Sequence, residues 1–155
     1  MPKIRPFLWF DNNNAEQAVE FYMGIFPNSR RTFELRTTDA GPGPKGSILT
    51  IEFELDGEAF VALNGGPGAD NQFNNAVSFY ISCKDQAEID HYWSKLLDGG
   101  GSPIACGWLK DRFGLRWQVV PGNIGQLVGT PGGMRVMMTM TKLDIAALEA
   151  AAKER

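Results

Sequence analysis

Few side chains in this sequence are of a type that does chemistry, and their spacing rarely concentrates them. There are two cysteines, Cys83 and Cys106, and one histidine, His91. Neither cysteine belongs to a Cys-x-x-Cys pair or lies near the histidine, so zinc-ligand spacing is absent. In a reducing compartment both are expected to be free thiols. Cys106 could act as a nucleophile if a cation lowered its pKa, but no Lys or Arg adjoins it in sequence. A single histidine excludes schemes that need two from one chain, and His91 reads as a surface residue of a helix. Gly41-Pro42-Gly43-Pro44-Lys45-Gly46 matches G-x-G-x-x-G by letters. That motif holds phosphate only between a strand and a helix. Here it precedes a strand, and two of its residues are prolines without an N–H. It reads as a flexible loop that could cover a ligand. Lys110, Asp111, Arg112 and Arg116 bracket a turn and read as a solvated tip, from which Arg116 could also reach an anionic ligand. Glu16, Glu20 and Asp90 are helix-surface charges with no paired-carboxylate argument behind them.

Size and charge set the limits. A chain of 155 residues fits one domain or two fused modules. Hydrophobic residues make up 43% and charged residues 21%, which is globular composition. The net charge of −3, without a basic run, gives no footprint for nucleic acid. No apolar stretch is as long as a membrane span. The first residues enter a strand pattern without the apolar core and cleavage site of a signal peptide, so a cytoplasmic location is expected.

The elements that would position these residues come in two similar sets. Ile4 to Phe10 is a short aromatic strand ending in the polar cluster Asp11-Asn12-Asn13-Asn14. Asn13 and Glu16 have capping-box spacing. Ala15, Ala18, Val19, Tyr22, Ile25 and Phe26 then give one helical apolar face, stopped by Pro27-Asn28-Ser29. Arg31–Arg36, Ser47–Leu55 and Glu58–Leu63 read as strands, the last two joined by the hairpin signal Asp56-Gly57. The order then restarts. Ala76–Cys83 is a strand, and Asp85/Glu88 repeats the cap spacing. Ile89, Tyr92, Trp93, Leu96 and Leu97 form a helical face that ends at Gly99-Gly100-Gly101. Ile104–Leu109 and Leu115–Val120 are strands around a turn at 110–114. Both halves read β-α-β-β-β, with caps and strands offset by 72 positions. Module one covers about residues 3–66, module two about 74–122, and a helical tail about 123–155, all in one domain. In the tail, the Met-rich run Met134–Met140 is expected to be helical and buried. The Ala-rich helix from Leu143 must dock on its own domain or on a partner.

Five segments carry a resemblance: FLWFDNNNAEQAVEFYMGIFPNS, TIEFELDGEAFVALNGGP, AVSFYISCKDQAEIDHYW, CGWLKDRFGLRWQVVP and TKLDIAALEAA. Together they resemble the PhnB-like branch of the vicinal-oxygen-chelate (glyoxalase/bleomycin-resistance) superfamily, over about Ile4 to Ala151. That branch often carries the label 3-demethylubiquinone-9 3-methyltransferase. The resemblance implies an α+β fold of two βαβββ modules forming a cupped, half-open mixed or antiparallel sheet, plus C-terminal helices. It also implies a homodimer and a pocket lined by the concave strand faces. Catalytic relatives hold a divalent metal through His, Glu or Gln, near the start of each module's first strand and on its last strand. Carried over singly, those positions fall near Pro6 or Phe7, around Asn64, on Ser78 and on Gln118. Only Gln118 is a good ligand type and Asn64 a weak one, so no cofactor and no resident divalent metal are expected.

Candidate pocket residues are therefore Asn64, Ser78, Tyr80, Cys106, Trp108, Arg116 and Gln118. Trp9, Trp108 and Trp117 read as core side chains or, with Phe60, Phe73 and Tyr80, as an aromatic wall. Strand alternation puts Trp117 and Gln118 on opposite faces. If the Pro6 position faces the cup, Leu8 and Phe10 do too, and Trp9 packs behind. The expected function is binding of a small organic molecule by a metal-free homodimer, without nucleic-acid or membrane partners. The alternatives are a metal-assisted lyase, isomerase or dioxygenase, an interaction module, and a methyltransferase. The last conflicts with the reading of hairpins and an internal repeat, because common methyltransferases need a parallel sheet and a Gly-rich loop after its first strand.

Overall fold

The computed structural model describes residues 2–154, and the chain divides into two compact units between Gln72 and Phe73. The first unit runs β1 (Phe7–Phe10), α1 (Ala15–Met23), β2 (Arg30–Arg36), β3 (Ile48–Leu55) and β4 (Glu58–Asn64). Its open sheet has the order β1-β4-β3-β2, with β1 parallel to β4 and the other pairs antiparallel. The alternation of β3 decides its faces: Ile51, Phe53 and Leu55 are buried, and Glu52 and Glu54 are not. Leu8, Phe10, Phe60 and Ala62 share that buried face, against which α1 sets Ala15, Ala18, Val19 and Tyr22. Asp56 and Gly57 close the β3–β4 hairpin with φ of 49° and 80°, as a two-residue primed turn requires.

The expected cap of α1 is corrected. Asn13 does not cap; it adopts φ 54°, a conformation asparagine tolerates, and the N-cap position passes to Asn14. Neither side chain caps the helix. Instead Asn64, at the end of β4, accepts a hydrogen bond from the Ala15 N–H at 2.9 Å. The helix also ends at Met23, before Ile25 and Phe26, which are buried beyond it.

The second unit runs β5 (Ser78–Cys83), α2 (Gln86–Leu97), β6 (Ser102–Pro103), β7 (Trp108–Lys110) and β8 (Arg116–Pro121). Its open sheet repeats the topology as β5-β8-β7-β6, with β5 parallel to β8. Here Asp85 caps the helix, in a variant of the capping box whose Glu88 arm reaches the residue before the cap. Asp85 Oδ1 accepts from the Glu88 N–H at 2.9 Å, and the Glu88 carboxylate accepts from the Lys84 N–H at 3.3 Å. The strand expected over Ile104–Leu109 is corrected: β6 lies before it at Ser102–Pro103, and only Trp108 and Leu109 of that range are strand, in β7. Ile104 N donates to Trp108 O and Trp108 N to Ala105 O, closing a tight loop in which Cys106 and Gly107 have φ of 55° and 87°. A Cβ on Gly107 would lie 2.9 Å from the Val119 carbonyl oxygen, so the loop needs glycine there.

The tail folds as α3 (Ile124–Val128), α4 (Pro131–Met137) and α5 (Ile145–Ala152) within this unit. Leu127, Leu143 and Leu148 form a small core with Val120. The Gln86 amide ties the tail to α2 by donating to Leu143 O at 3.0 Å and accepting from Ile145 N at 2.8 Å. The expected burial of the Met-rich run is corrected in part: Met137 and Met140 pack against the small core, but Met134 and Met138 are 45% and 65% exposed. Gly132 and Gly133 are the buried residues of α4. A Cβ on Gly133 would sit 1.8 Å from Leu127 O, so α4 packs through its bare backbone there, with Val136 and Met137 against the tail core and Met134 turned outward. Among the described residues no helix is long and apolar enough to cross a membrane.

Candidate functional site

Strand register sorts the second unit's side chains onto two faces. Leu109, Trp117 and Val119 are buried on the face that packs against Ile89, Trp93 and Leu96 of α2. The opposite face carries two rows of aligned residues. One row is Ser78, Arg116 and Lys110, continued by Ser102 on β6. The next row along the strands is Tyr80, Gln118 and Trp108. Gln118 Nε2 donates to Ser78 Oγ at 2.9 Å, which links the rows. Tyr80 is 53% exposed, and Ser78, Trp108, Lys110, Arg116 and Gln118 are partly exposed. Five of the seven sequence candidates thus share one surface: Ser78, Tyr80, Trp108, Arg116 and Gln118.

Arg116 is held in place by neutral acceptors. Its Nε donates to Asn75 Oδ1 at 2.7 Å, and its Nη1 donates to Phe73 O at 3.1 Å and Gly114 O at 2.6 Å. Lys110 lies directly across the ladder from it. Neither has an ion-pair partner among the described residues, although Arg112 nearby pairs with Asp98 at 3.8 Å. Asp111, expected at a solvated tip, is corrected to a buried residue, 1% exposed. Its Oδ1 accepts from Phe113 N at 2.8 Å and Leu115 N at 3.0 Å, and its Oδ2 accepts from Trp117 Nε1 at 2.9 Å. The carboxylate staples the β7–β8 turn and reaches Trp117, which packs on the α2 side of the sheet. The pattern Asp111-x-x-Gly114 was the available signal, an Asx-type turn. Strand alternation could likewise have grouped Lys110 with Arg116.

The other two candidates lie elsewhere. Asn64 belongs to the first unit and faces α1. Its oxygen caps Ala15, and its Nδ2 donates to Ile48 O at 3.0 Å. Cys106 occupies the turn before β7, with its N–H bonded to Met140 O at 2.9 Å. Cys83 is buried, and burial pushes its thiol up to about 12, so it holds its proton at neutral pH. The conditional placement of Trp9 resolves by register. Leu8 and Phe10 face α1, while Phe7 and Trp9 lie on the other face. Trp9 lies against Gly65, and its Nε1 donates to Gly66 O at 2.9 Å. Trp117 packs on the α2 side, tilted against Phe79 with ring centroids 5.4 Å apart. Phe60 stacks on Phe53 in the first unit's core.

The positions that would hold the superfamily's metal do not fit a divalent cation. Pro6 has no side-chain donor, both ends of the Asn64 amide are engaged, and Ser78 is bonded to Gln118. Among the described residues no group of three or more His, Cys, Asp or Glu could hold a metal ion.

The family model described as 3-demethylubiquinone-9 3-methyltransferase matches residues 2–120. The chain belongs to this family. The PhnB protein from Bacillus cereus is 30% identical, with 77% of this chain and 99% of that one covered and a TM-score of 0.68. A protein from Pseudomonas aeruginosa is 22% identical, covering 78% and 97%, with a TM-score of 0.62. The fosfomycin resistance protein FosX from Mesorhizobium loti shares the fold at 14% identity, covering 79% and 93%, with a TM-score of 0.53. No curated protein matches the chain. This chain is accordingly a PhnB-like member of the glyoxalase/bleomycin-resistance superfamily. The family match ends at Val120, so α3–α5 lies outside it.

Proposed function

We propose that this PhnB-like chain binds a small organic molecule on the β5–β8–β7 face opposite α2, without a resident metal. One observation carries the reading: register gathers Ser78, Tyr80, Trp108, Arg116 and Gln118 on that surface, with hydrogen-bonding groups beside two aromatic rings. The donor set described above favours binding over metal-assisted chemistry. The family's methyltransferase description is not carried over as an activity. β1 and β5 lead to their helices through Asp11–Asn14 and Lys84-Asp85, with no glycine at either crossing.

The test joins metal analysis of the washed protein to a tryptophan-fluorescence screen of small aromatic molecules. Expected are substoichiometric metal and a saturable change that Trp108→Phe or Tyr80→Ala abolishes. Stoichiometric metal, with an activity that chelation removes, would overturn the reading in favour of a metal enzyme. Homodimer formation is part of the proposal. It rests on the family resemblance and on Phe7, Phe33 and Leu35, which are 56%, 53% and 45% exposed on one face of the first sheet. A monomer mass by sedimentation at micromolar concentration would remove it.

A further inference from the structure

The cations on the outer strands of the first unit and on the β7–β8 ladder of the second are treated differently, although Arg112 and Lys142 of the second unit do pair with Asp98 and Asp90. In the first unit every arginine of β2 has a carboxylate partner: Arg30 with Glu54, Arg31 with Glu16, Glu20 and Glu34, and Arg36 with Glu34. Arg5 pairs with Glu52 on the face opposite α1. In the second unit Lys110 and Arg116 oppose each other across one ladder position, with no carboxylate partner among the described residues. Like charges directly opposite on neighbouring strands repel and destabilise a sheet. The nearest carboxylate in sequence, Asp111, spends both oxygens on Phe113, Leu115 and Trp117. The Arg116 guanidinium is fixed by Asn75, Phe73 and Gly114 through neutral oxygens, which orient it without neutralising it.

We infer that Lys110 and Arg116 form an anion subsite that takes the acidic end of a flat organic anion, a carboxylate or phosphonate. Its unsaturated body lies over the Tyr80–Gln118–Trp108 row. The two rows are two residues apart along the strands, about 6.7 Å, which suits an acid group joined to one or two fused rings. Ser78 and Ser102 add hydroxyls at either side of the cation row. The bound anion supplies the missing counter-charge, and its hydrogen bonds to the cations are charge-assisted. This inference rests on the face being a ligand surface, and it adds the ligand's charge and shape.

The experiment compares 2-naphthoate with its neutral isostere 2-naphthamide by calorimetry on the full chain. Naphthoate is expected to bind at least tenfold more tightly and to weaken as salt is raised. Lys110→Gln is expected to weaken naphthoate by about tenfold, the scale of one charge-assisted contact, and to leave naphthamide unchanged. Lys95→Gln, on α2, removes the same charge away from the face and should change neither. Arg116 also supports the fold through its three hydrogen bonds, so Arg116→Lys, which keeps the charge, serves as the second variant. It should retain most of the naphthoate preference. Equal binding of the two probes, both weakened by Tyr80→Ala, overturns the charge assignment and leaves the face as a ligand surface. An equal loss of naphthoate binding in Lys110→Gln and Lys95→Gln overturns it as well. Binding of neither probe at millimolar concentration overturns both this inference and the reading of the face.

Discussion

The two units share a strand order and a helix position but differ in what their sheets present on the side away from the helix. The first presents Phe7, Trp9, Phe33 and Leu35 with the ion pairs Arg5–Glu52 and Arg30–Glu54. The second presents Ser78, Tyr80, Trp108, Gln118 and two cations without carboxylate partners. Topology is thus common property, while the clustered polar and aromatic side chains belong to one half. A βαβββ unit needs only alternation, a helix with one apolar face and workable turns. The side chains that alternate outward are free to differ, because packing on the helix side does not involve them.

The largest contrast lies in the final hairpin of each unit. Asp111→Ala removes an acceptor of three hydrogen bonds from a buried site and should cost about 3 kcal/mol or more in urea unfolding. Asp56→Gly, in the exposed β3–β4 turn with positive φ, should change stability by no more than about 0.5 kcal/mol. Equal costs would show that the hairpins are stabilised alike.

The helix caps come next. Asn64→Ala should cost about 1–2 kcal/mol, since it strips the Ala15 N–H and the Ile48 carbonyl of partners together. Asp85→Ala should cost about 1 kcal/mol through the local box. Asn13→Gly should leave stability unchanged or slightly raised, because glycine accepts the φ of 54° freely. A loss of 1 kcal/mol or more at Asn13 would restore it as the cap.

The cysteines offer a smaller contrast inside the second unit. At pH 8 a thiol reagent should label one cysteine per native chain quickly, Cys106, and reach Cys83 only on unfolding. Cys83 is buried with its pKa raised to about 12, and Cys106 is partly exposed in a turn. Fast labelling of two thiols would contradict that burial.

The smallest effect is electrostatic. The hydrogen bond from Lys142, then that from Gln86, holds Asp90 below its usual range. The hydrogen bond from Arg30 does the same for Glu54. A depressed folded pKa contributes stability that is present above the unfolded carboxylate value and lost as pH falls through the folded one. Between pH 5 and pH 3 the wild-type urea midpoint should therefore fall slightly more than that of Glu54→Gln or Asp90→Asn. Identical slopes would show that these exposed pairs contribute nothing.

Much of the fold was legible because its signals are local. Alternation in Ser47–Leu55, the Asp56-Gly57 turn and the Asp85/Glu88 box act within a few residues, and each appears where expected. The misreadings share a cause. Asn13, the strand expected over Ile104–Leu109 and the Met-rich run all depend on partners far away in sequence. Asn64 supplies the cap, Met140 and Thr141 take the Cys106 and Gly107 N–H groups, and Gly132 brings the α4 backbone onto Ala151. For the candidate site, residue types selected Ser78, Tyr80, Trp108, Arg116 and Gln118 without showing that they share a face.

The sequence by itself determined the repeated β-α-β-β-β order, the family and the poverty of metal ligands, because all three are written in residue types and short spacings. The tertiary structure alone decided which candidates meet. Ladder register aligned Ser78 with Arg116 and Tyr80 with Gln118 across β5 and β8, and it sent Asn64 to the helix side, where it caps Ala15. Register is set by hydrogen bonds between strands distant along the chain, and a shift of one residue would exchange the two faces.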